Sequence, residues 1–141
     1  MLPTRRHALL TLLLAAGCTR DDPQAALDAA VQRLQDALEA RDADAVLALL
    51  DKGCVIAGEP GRAWAQRTMA LVFLRYPQVH VVAPLRRNTI DPTARHLATT
   101  EAQVLLVGAQ GVFPERAEPY AVTLRWQRDG RTWKLLALDW S

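Results

Sequence analysis

Alternating apolar and polar positions at the end of the chain, Tyr120 to Trp140, predict a β-hairpin. Asp129-Gly130 is a two-residue type I′ turn signal, and a loop of that length fixes the register. The reverse face becomes apolar away from the turn, through Leu136, Leu138 and Trp140. Because a hairpin that is apolar on both faces needs cover on both, we expect it in the middle of the protein rather than at its rim. The predicted cross-strand pairs, all on one face, are Trp126–Trp133, Leu124–Leu135, Val122–Ala137 and Tyr120–Asp139.

Three earlier segments have the apolar spacing or the boundary signals of helices. The first follows Asp22, a predicted N-cap, and the second follows Asp42 or Asp44 in the same role. The third begins after the Gly- and Pro-rich turn 58–61 and is ended by Pro77. The predicted helices are Pro23–Ala40, Ala45–Leu50 and Arg62–Tyr76.

The middle of the chain predicts three further strands, Cys54–Ala57, Val79–Ile90 and Arg95–Val107. A four-residue turn that starts at Asp91 joins the two long ones. This register places Val79, Val81, Ala83 and Leu85 opposite Leu106, Val104, Ala102 and Thr100. It leaves Arg86 and Glu101 together on the reverse face. The segment Gly108 to Pro119 is expected to be a turn-rich connection.

The first residues, 1–17, have the pattern of a secretory leader: Arg5 and Arg6 are followed by an apolar run too short to span a bilayer. Leu14-Ala15-Ala16-Gly17-Cys18 resembles the lipobox of bacterial lipoproteins. The resemblance implies cleavage before Cys18 and its lipidation with fatty acyl chains such as palmitate; an ordinary thiol after a cleaved leader is the alternative. An aspartate directly after the cysteine would resemble the inner-membrane retention signal of many bacterial lipoproteins, so the resemblance, with Thr19 at that position, implies the outer rather than the inner membrane.

Removal of the leader changes the charge of the chain. The full sequence has 17 Lys+Arg and 15 Asp+Glu, and the loss of Arg5 and Arg6 leaves 15 of each sign. Without a net positive field or a basic run, the composition argues against a nucleic-acid partner. Residues 18–22 would form a short lipidated tether, and residues 23–141 are long enough for one domain. A lipidated Cys18 would leave Cys54 without a disulfide partner.

The order of these elements resembles the nuclear transport factor 2-like superfamily, including its SnoaL-like polyketide cyclases. The likeness lies in residues 40–46 between the first two helices, and in Gly130 to Leu135 and Trp140-Ser141 at the end. It implies an α+β fold in which three N-terminal helices pack on a curved, mainly antiparallel sheet shaped like a cone. The superfamily includes isomerases, dehydratases, cyclases and non-catalytic binding domains, and many members are dimers. Fold alone does not give function.

The predicted register brings one chemically interesting pair together, Tyr120 and Asp139, at the polar end of an apolar face. In a cone, Asp139 could act as a general base with Tyr120 as hydrogen-bond donor. The alternative is that both lie at the sheet margin, with Asp139 in solvent. The candidate pocket residues are His96, Trp126, Trp133 and Trp64, with the alternative that the tryptophans are core and His96 is a strand-end residue.

Other chemistry is disfavoured by the sequence. Ser141 is the single serine, no G-x-G-x-x-G or P-loop is present, and His80 and His96 are predicted on opposite faces, so neither a cofactor nor a metal site is expected. Cys54 in an apolar strand is expected to be a core residue. The segment from Gly58 to Arg62 fits an anion-binding loop or an ordinary helix start.

Two hypotheses follow. The first is a lipid-anchored domain of the cell envelope, facing the periplasm, that is not catalytic and binds a small apolar ligand, a partner protein or a second copy of itself. The second is a small enzyme of the isomerase, dehydratase or cyclase type that transfers a proton with a carboxylate in the cone.

Overall fold

A computed structural model describes residues 22–108, 111–113 and 119–141. The predicted leader and Cys18 lie outside the described residues. Three helices precede most of the sheet, as predicted, and the hairpin at the end of the chain is present. The elements are α1 (Pro23–Glu39), α2 (Ala43–Leu49), β1 (Leu50–Ile56), β2 (Glu59–Pro60), α3 (Gly61–Arg75), β3 (His80–Ile90), β4 (Leu97–Gly108), β5 (Gly111–Phe113), β6 (Tyr120–Asp129) and β7 (Thr132–Trp140).

Both predicted helix caps are confirmed. The Asp22 carboxylate accepts hydrogen bonds from the backbone N–H groups of Gln24 and Ala25, and Pro23 occupies the first turn. Asp42 accepts from the N–H of Ala45, so α2 starts two residues earlier than predicted. These caps satisfy N–H groups that have no partner inside the helix, and they fix where the chain enters each helix.

The polar side of α1 lies along β3, which is the last strand of the sheet path. Gln24 Nε2 donates to the backbone oxygen of Asn88 (3.2 Å), and Gln35 Nε2 donates to that of Val81 (3.1 Å). Asn88 Nδ2 in turn donates to the Asp28 carboxylate on α1 (3.0 Å). An edge strand presents unpaired backbone groups, and here helix side chains satisfy part of them.

The sheet has the order β2-β1-β7-β6-β4-β3, with β5 paired to the end of β4. All pairings are antiparallel except that of β1 with β7. The β6–β7 hairpin is therefore central in the sheet, in line with its predicted place in the middle of the protein. The α+β class, with three helices packed on a curved sheet, is also as predicted.

The predicted register of the β6–β7 hairpin is wrong. Asp129 pairs with Thr132, so the loop is Gly130-Arg131, with Gly130 at φ 61° in the first loop position, as in a type II′ turn. Trp126 lies opposite Leu135, and Trp133 lies opposite Arg128. The slip is two residues, so both indoles still share the face that the helices cover.

A β-bulge in β7 has a larger effect, because it changes which face the later residues occupy. The pairing shifts between Trp126–Leu135 and Arg125–Ala137, which leaves Leu136 as the extra residue. Beyond it Leu138 and Trp140 join the face of Trp126. Asp139 pairs with Thr123 on the opposite face.

The predicted β3–β4 register is also wrong, because the connecting turn is longer than four residues. The Asp91 carboxylate accepts hydrogen bonds from Thr93 N, Thr93 Oγ1 and Ala94 N, which hold the pKa of Asp91 below its usual value. The N–H of Leu97 then bonds the Ala94 carbonyl, and β4 starts only at Leu97.

A second bulge, between Val82 and Leu85, moves residues of β3 between faces. Pro84 lies inside it, and a proline that cannot donate to the ladder fits a bulge on an edge strand. Leu85 is on the outer face and 70% exposed, whereas Arg86 pairs with Ala102 and lines the inner face. The predicted position of Arg86 on the outer face beside Glu101 is therefore wrong.

The packed core fills one end of the space between helices and sheet. Its largest fully buried side chains include Trp126, Trp133, Leu27 and Leu135. Both indole N–H groups are satisfied: Trp126 Nε1 donates to Thr100 Oγ1 (3.1 Å), and Trp133 Nε1 donates to the Pro23 carbonyl (3.1 Å). A buried indole needs such a partner.

Candidate functional site

A cavity of about 410 Å³ occupies the other end of the inner face. The helices α1 and α3 and the strands β3, β4, β6 and β7 all contribute to its wall, which is almost entirely apolar. Ligand pockets typically range from about 300 to 1,000 Å³, so the volume suits a small molecule.

The size of the side chains explains why this end is hollow. Where Trp126 and Trp133 fill the closed end, the inner face here carries Ala83 and Ala102. Valines and leucines such as Val104 and Leu138 surround them without closing the space. The same apolar pattern therefore produces a packed core at one end and a cavity at the other.

Two tryptophans meet at the cavity wall. The ring centroids of Trp64 on α3 and Trp140 on β7 are 5.4 Å apart, and the rings are tilted by 45°. That spacing lies in the range of favourable aromatic pairs. Trp140 is 40% exposed. The bulge at Leu136 places Trp140 on the cavity wall, whereas strict alternation in the sequence predicts Trp140 on the opposite face.

Few polar side chains reach the cavity. Thr100 is buried and already bonded, since it accepts from Trp126 and its hydroxyl donates to Asn88 Oδ1 (2.8 Å). Arg86 donates to the side-chain oxygens of Gln35 and Gln32, both at 3.3 Å. Among the described residues of the wall, only Arg86 and Tyr120 have ionisable side chains.

The predicted catalytic pair does not exist in this fold. Tyr120 lies on the inner face, opposite Val104, and lines the cavity. Asp139 lies on the outer face and is exposed. The bulge at Leu136 separates them, so the expectation that Asp139 sits beside Tyr120 in an apolar pocket is wrong.

The predicted pocket residues divide into three groups. Trp64 lines the cavity. Trp126 and Trp133 are fully buried in the packed end and are not part of the cavity wall. His96 lies exposed in the turn before β4, where its carbonyl accepts a hydrogen bond from the N–H of Arg128. The prediction that His96 lies on the pocket wall is therefore wrong.

Sequence reasoning missed Arg86, Leu138 and Trp140 as cavity residues. Two signals in the sequence bear on them. Pro84 inside a strand indicates a bulge near Arg86. The run Leu135-Leu136-Ala137-Leu138 breaks strict alternation, which also fits a change of face.

The segment 58–62 and Cys54 have structural explanations. A Cβ on Gly61 would lie 2.8 Å from the Cys54 carbonyl oxygen, so close packing requires glycine there. Arg62 Nη1 donates to the Leu47 carbonyl (2.9 Å) and ties α3 to α2. Burial raises the pKa of the Cys54 thiol to about 11, and the neighbouring Asp51 adds to the effect. Cys54 is a neutral core side chain, as predicted.

Within the described part of the chain, no cluster of three or more His, Cys, Asp or Glu side chains could hold a metal ion. In the same residues, no helix has the length and apolarity needed to cross a membrane.

Comparison with known proteins gives matches in structure alone: no protein family and no curated protein matches the sequence. A Bdellovibrio bacteriovorus protein, Bd1075, matches with a TM-score of 0.69 and 15% identity over 82% of this chain. This chain spans only 40% of the length of Bd1075.

Two further matches cover nearly all of the compared protein. A proposed dehydratase of the NTF2-like family from Streptomyces avermitilis has a TM-score of 0.66 and 19% identity, with 87% of this chain and 97% of that one covered. A hexachlorocyclohexane dehydrochlorinase, LinA-type3 from Novosphingobium barchaimii, has a TM-score of 0.63 and 13% identity, with coverage of 83% and 84%. The chain therefore has the nuclear transport factor 2-like fold.

Proposed function

We propose that this chain is a lipid-anchored domain of the cell envelope whose cone binds a small apolar ligand. The cavity is the observation that carries the proposal: about 410 Å³ of space with an almost wholly apolar wall. A dry apolar cavity of about 150 Å³ accepts benzene, so this space suits a larger ring system or a medium-length alkyl chain.

The described wall favours binding over catalysis. Proton transfer needs a group that exchanges protons near neutral pH, usually a carboxylate or an imidazole. Neither type occurs among the described residues that line the cavity, and Asp139 faces away from it. The dehydratase and dehydrochlorinase neighbours share the fold, which fits an enzyme only in outline.

Binding is tested with a neutral fluorescent probe, N-phenyl-1-naphthylamine, and the purified protein. We expect saturable binding with increased emission, because the probe moves from water to an apolar site. The matched variant is Ala102→Phe, which places a ring in the cavity. It should abolish binding and leave the circular dichroism spectrum unchanged. Absence of saturable binding, or equal binding by Ala102→Phe, would overturn the proposed function.

The anchor rests on the lipobox-like sequence that ends at Cys18, which precedes the first helix cap, Asp22, by four residues. A tether of this length spans at most about 14 Å, and the domain would therefore stay close to the membrane, with the outer membrane favoured.

The mass of the protein extracted from bacterial membranes should show loss of residues 1–17 and addition of acyl chains. An unmodified Cys18 would contradict the anchor, and Cys18→Ala should release the protein from the membrane fraction.

A partner protein or a second copy of the chain would need an apolar outer surface, which the sequence suggests at Leu136, Leu138 and Trp140. Leu138 and Trp140 line the cavity instead and do not supply that surface. Self-association stays a prediction, and light scattering of the purified protein tests it.

A further inference from the structure

Arg86 is the one formally charged side chain among the described residues of the cavity wall. Its guanidinium donates to the amide oxygens of Gln35 and Gln32, both 3.3 Å away. Both partners are neutral. In the described part of the chain, no carboxylate lies within ion-pair distance of Arg86. Arg86 lines the cavity and is also exposed to solvent. It has hydrogen-bond partners there but, among the described residues, no ion-pair partner.

The neighbouring arginine provides a contrast within the same strand. Arg87 pairs with Glu101 on the outer face of the sheet, where an acidic residue lies directly opposite. Arg86 pairs with Ala102 and lines the cavity. The bulge around Pro84 produces this difference, because unbroken alternation from Val81 and Ala83 would turn Arg86 outwards. The fold thus turns a positive charge towards an otherwise apolar cavity.

We propose that Arg86 binds the carboxylate of an amphipathic ligand whose apolar body fills the cavity, in the manner of a fatty acid. The inference rests on the proposed function and names its ligand class. A guanidinium has five N–H donors in a planar fork that matches the two oxygens of a carboxylate. The two contacts to glutamine leave donors for the ligand. Because Arg86 is exposed, the ligand's carboxylate would meet it in contact with solvent, while the apolar body of the ligand lies against the apolar wall.

The two glutamines hold the Arg86 guanidinium in position, since it donates to both of their side-chain oxygens. Gln35 is held in place because its Nε2 donates to the Glu39 carboxylate (2.9 Å) and to the Val81 carbonyl (3.1 Å). Its oxygen is thereby left to face Arg86. α1 thus positions the guanidinium through the amide oxygens of two glutamines, whose amide nitrogens donate to the carboxylates of Asp36 and Glu39.

The experiment measures displacement of N-phenyl-1-naphthylamine from the purified protein by decanoate and by 1-decanol, which share an alkyl chain and differ in charge. The wild-type protein should bind decanoate about tenfold more tightly than 1-decanol, as a charge-assisted hydrogen bond predicts. Arg86→Gln should lower the decanoate affinity about tenfold and leave the 1-decanol affinity unchanged. Arg87→Gln is the matched control and should change neither affinity.

The outcomes separate the two proposals. If the wild-type protein binds none of the three compounds, the probe, decanoate and 1-decanol, the proposed function fails. If it binds both ligands but Arg86→Gln leaves the decanoate affinity unchanged, or Arg87→Gln lowers it equally, the role of Arg86 is overturned and the cavity stands. Circular dichroism checks the fold of each variant. Should Arg86→Gln unfold, Arg86→Lys replaces it: loss of the fork should weaken decanoate binding only, and an unchanged decanoate affinity would overturn the role.

Discussion

The two ends of the inner sheet face have the same apolar pattern and opposite outcomes. At the closed end, Trp126 is fully buried and Ala98 is 4% exposed. At the open end Ala102, four residues further along the same strand and face, borders a cavity. Alternation in a sequence indicates which face is covered, but the volume of the side chains decides whether the covered space is filled.

The polar contacts of the two ends differ as well. At the closed end the indole of Trp126 is bonded to Thr100, which is bonded to Asn88, and Asn88 to Asp28 on α1. This chain of hydrogen bonds joins β6, β4, β3 and α1. At the open end Trp64 and Trp140 contact each other by their rings. We infer that the closed end holds the fold together and the open end serves binding.

The largest effect is expected from Trp126→Ala. Removing a fully buried indole should lower the free energy of unfolding by about 3–5 kcal/mol, because transfer and cavity terms add. Urea unfolding followed by circular dichroism measures it. Trp140→Ala, at the open end, is the control and should cost less, about 1–2 kcal/mol, because the side chain is 40% exposed and loses mainly its ring contact with Trp64. Equal losses for the two variants would contradict the division into a packed end and a binding end.

A smaller effect should come from adding volume to the two alanines of β4. Ala98→Phe forces a ring into the packed end and should lower the free energy of unfolding by about 1–3 kcal/mol. Ala102→Phe extends into the cavity and should change it by less than about 1 kcal/mol. Thermal or urea unfolding of the pair measures the contrast. A larger loss for Ala102→Phe would mean that the space is not available in solution.

The smallest of these effects concerns one hydroxyl group. Thr100→Val keeps the shape of the side chain and removes both the acceptor of the Trp126 indole N–H and the donor to Asn88 Oδ1, which should cost about 1–2 kcal/mol. Thr99→Val, on the opposite face of β4, is the matched variant and should lie within about 0.5 kcal/mol of wild type. Urea unfolding compares them. If Thr100→Val is as stable as wild type, the closed end does not depend on this hydrogen-bond chain.

Much of the fold was predictable because its signals are local. Asp22 with Pro23 and Asp42 fix the first two helix starts, and both capping residues act as predicted. The apolar character of both faces of the last hairpin predicted a place in the middle of the protein, and the hairpin is central in the sheet. In each case the relevant partners lie within a few residues, or one burial requirement applies to a whole strand.

The candidate site was less predictable, because it depends on two bulges. Each bulge adds one residue to its strand, so every side chain of that strand beyond the bulge lies on the face opposite to the one that alternation predicts. The bulge at Leu136 brings Leu138 and Trp140 into the wall and turns Asp139 away from Tyr120. The bulge at Pro84 brings Arg86 in. His96 was misplaced for a related reason, since the Asp91 turn delays the start of β4.

The sequence by itself determined the positions of the three helices and of five strands, and that the two indoles of the last hairpin share one covered face. It did not predict the short strands β2 and β5. Only the tertiary structure decided which residues line the cavity. The physical reason is that a face assignment follows parity along a strand, and parity is lost wherever the ladder gains an extra residue. Packing of the neighbouring strands and of α1 decides where that happens.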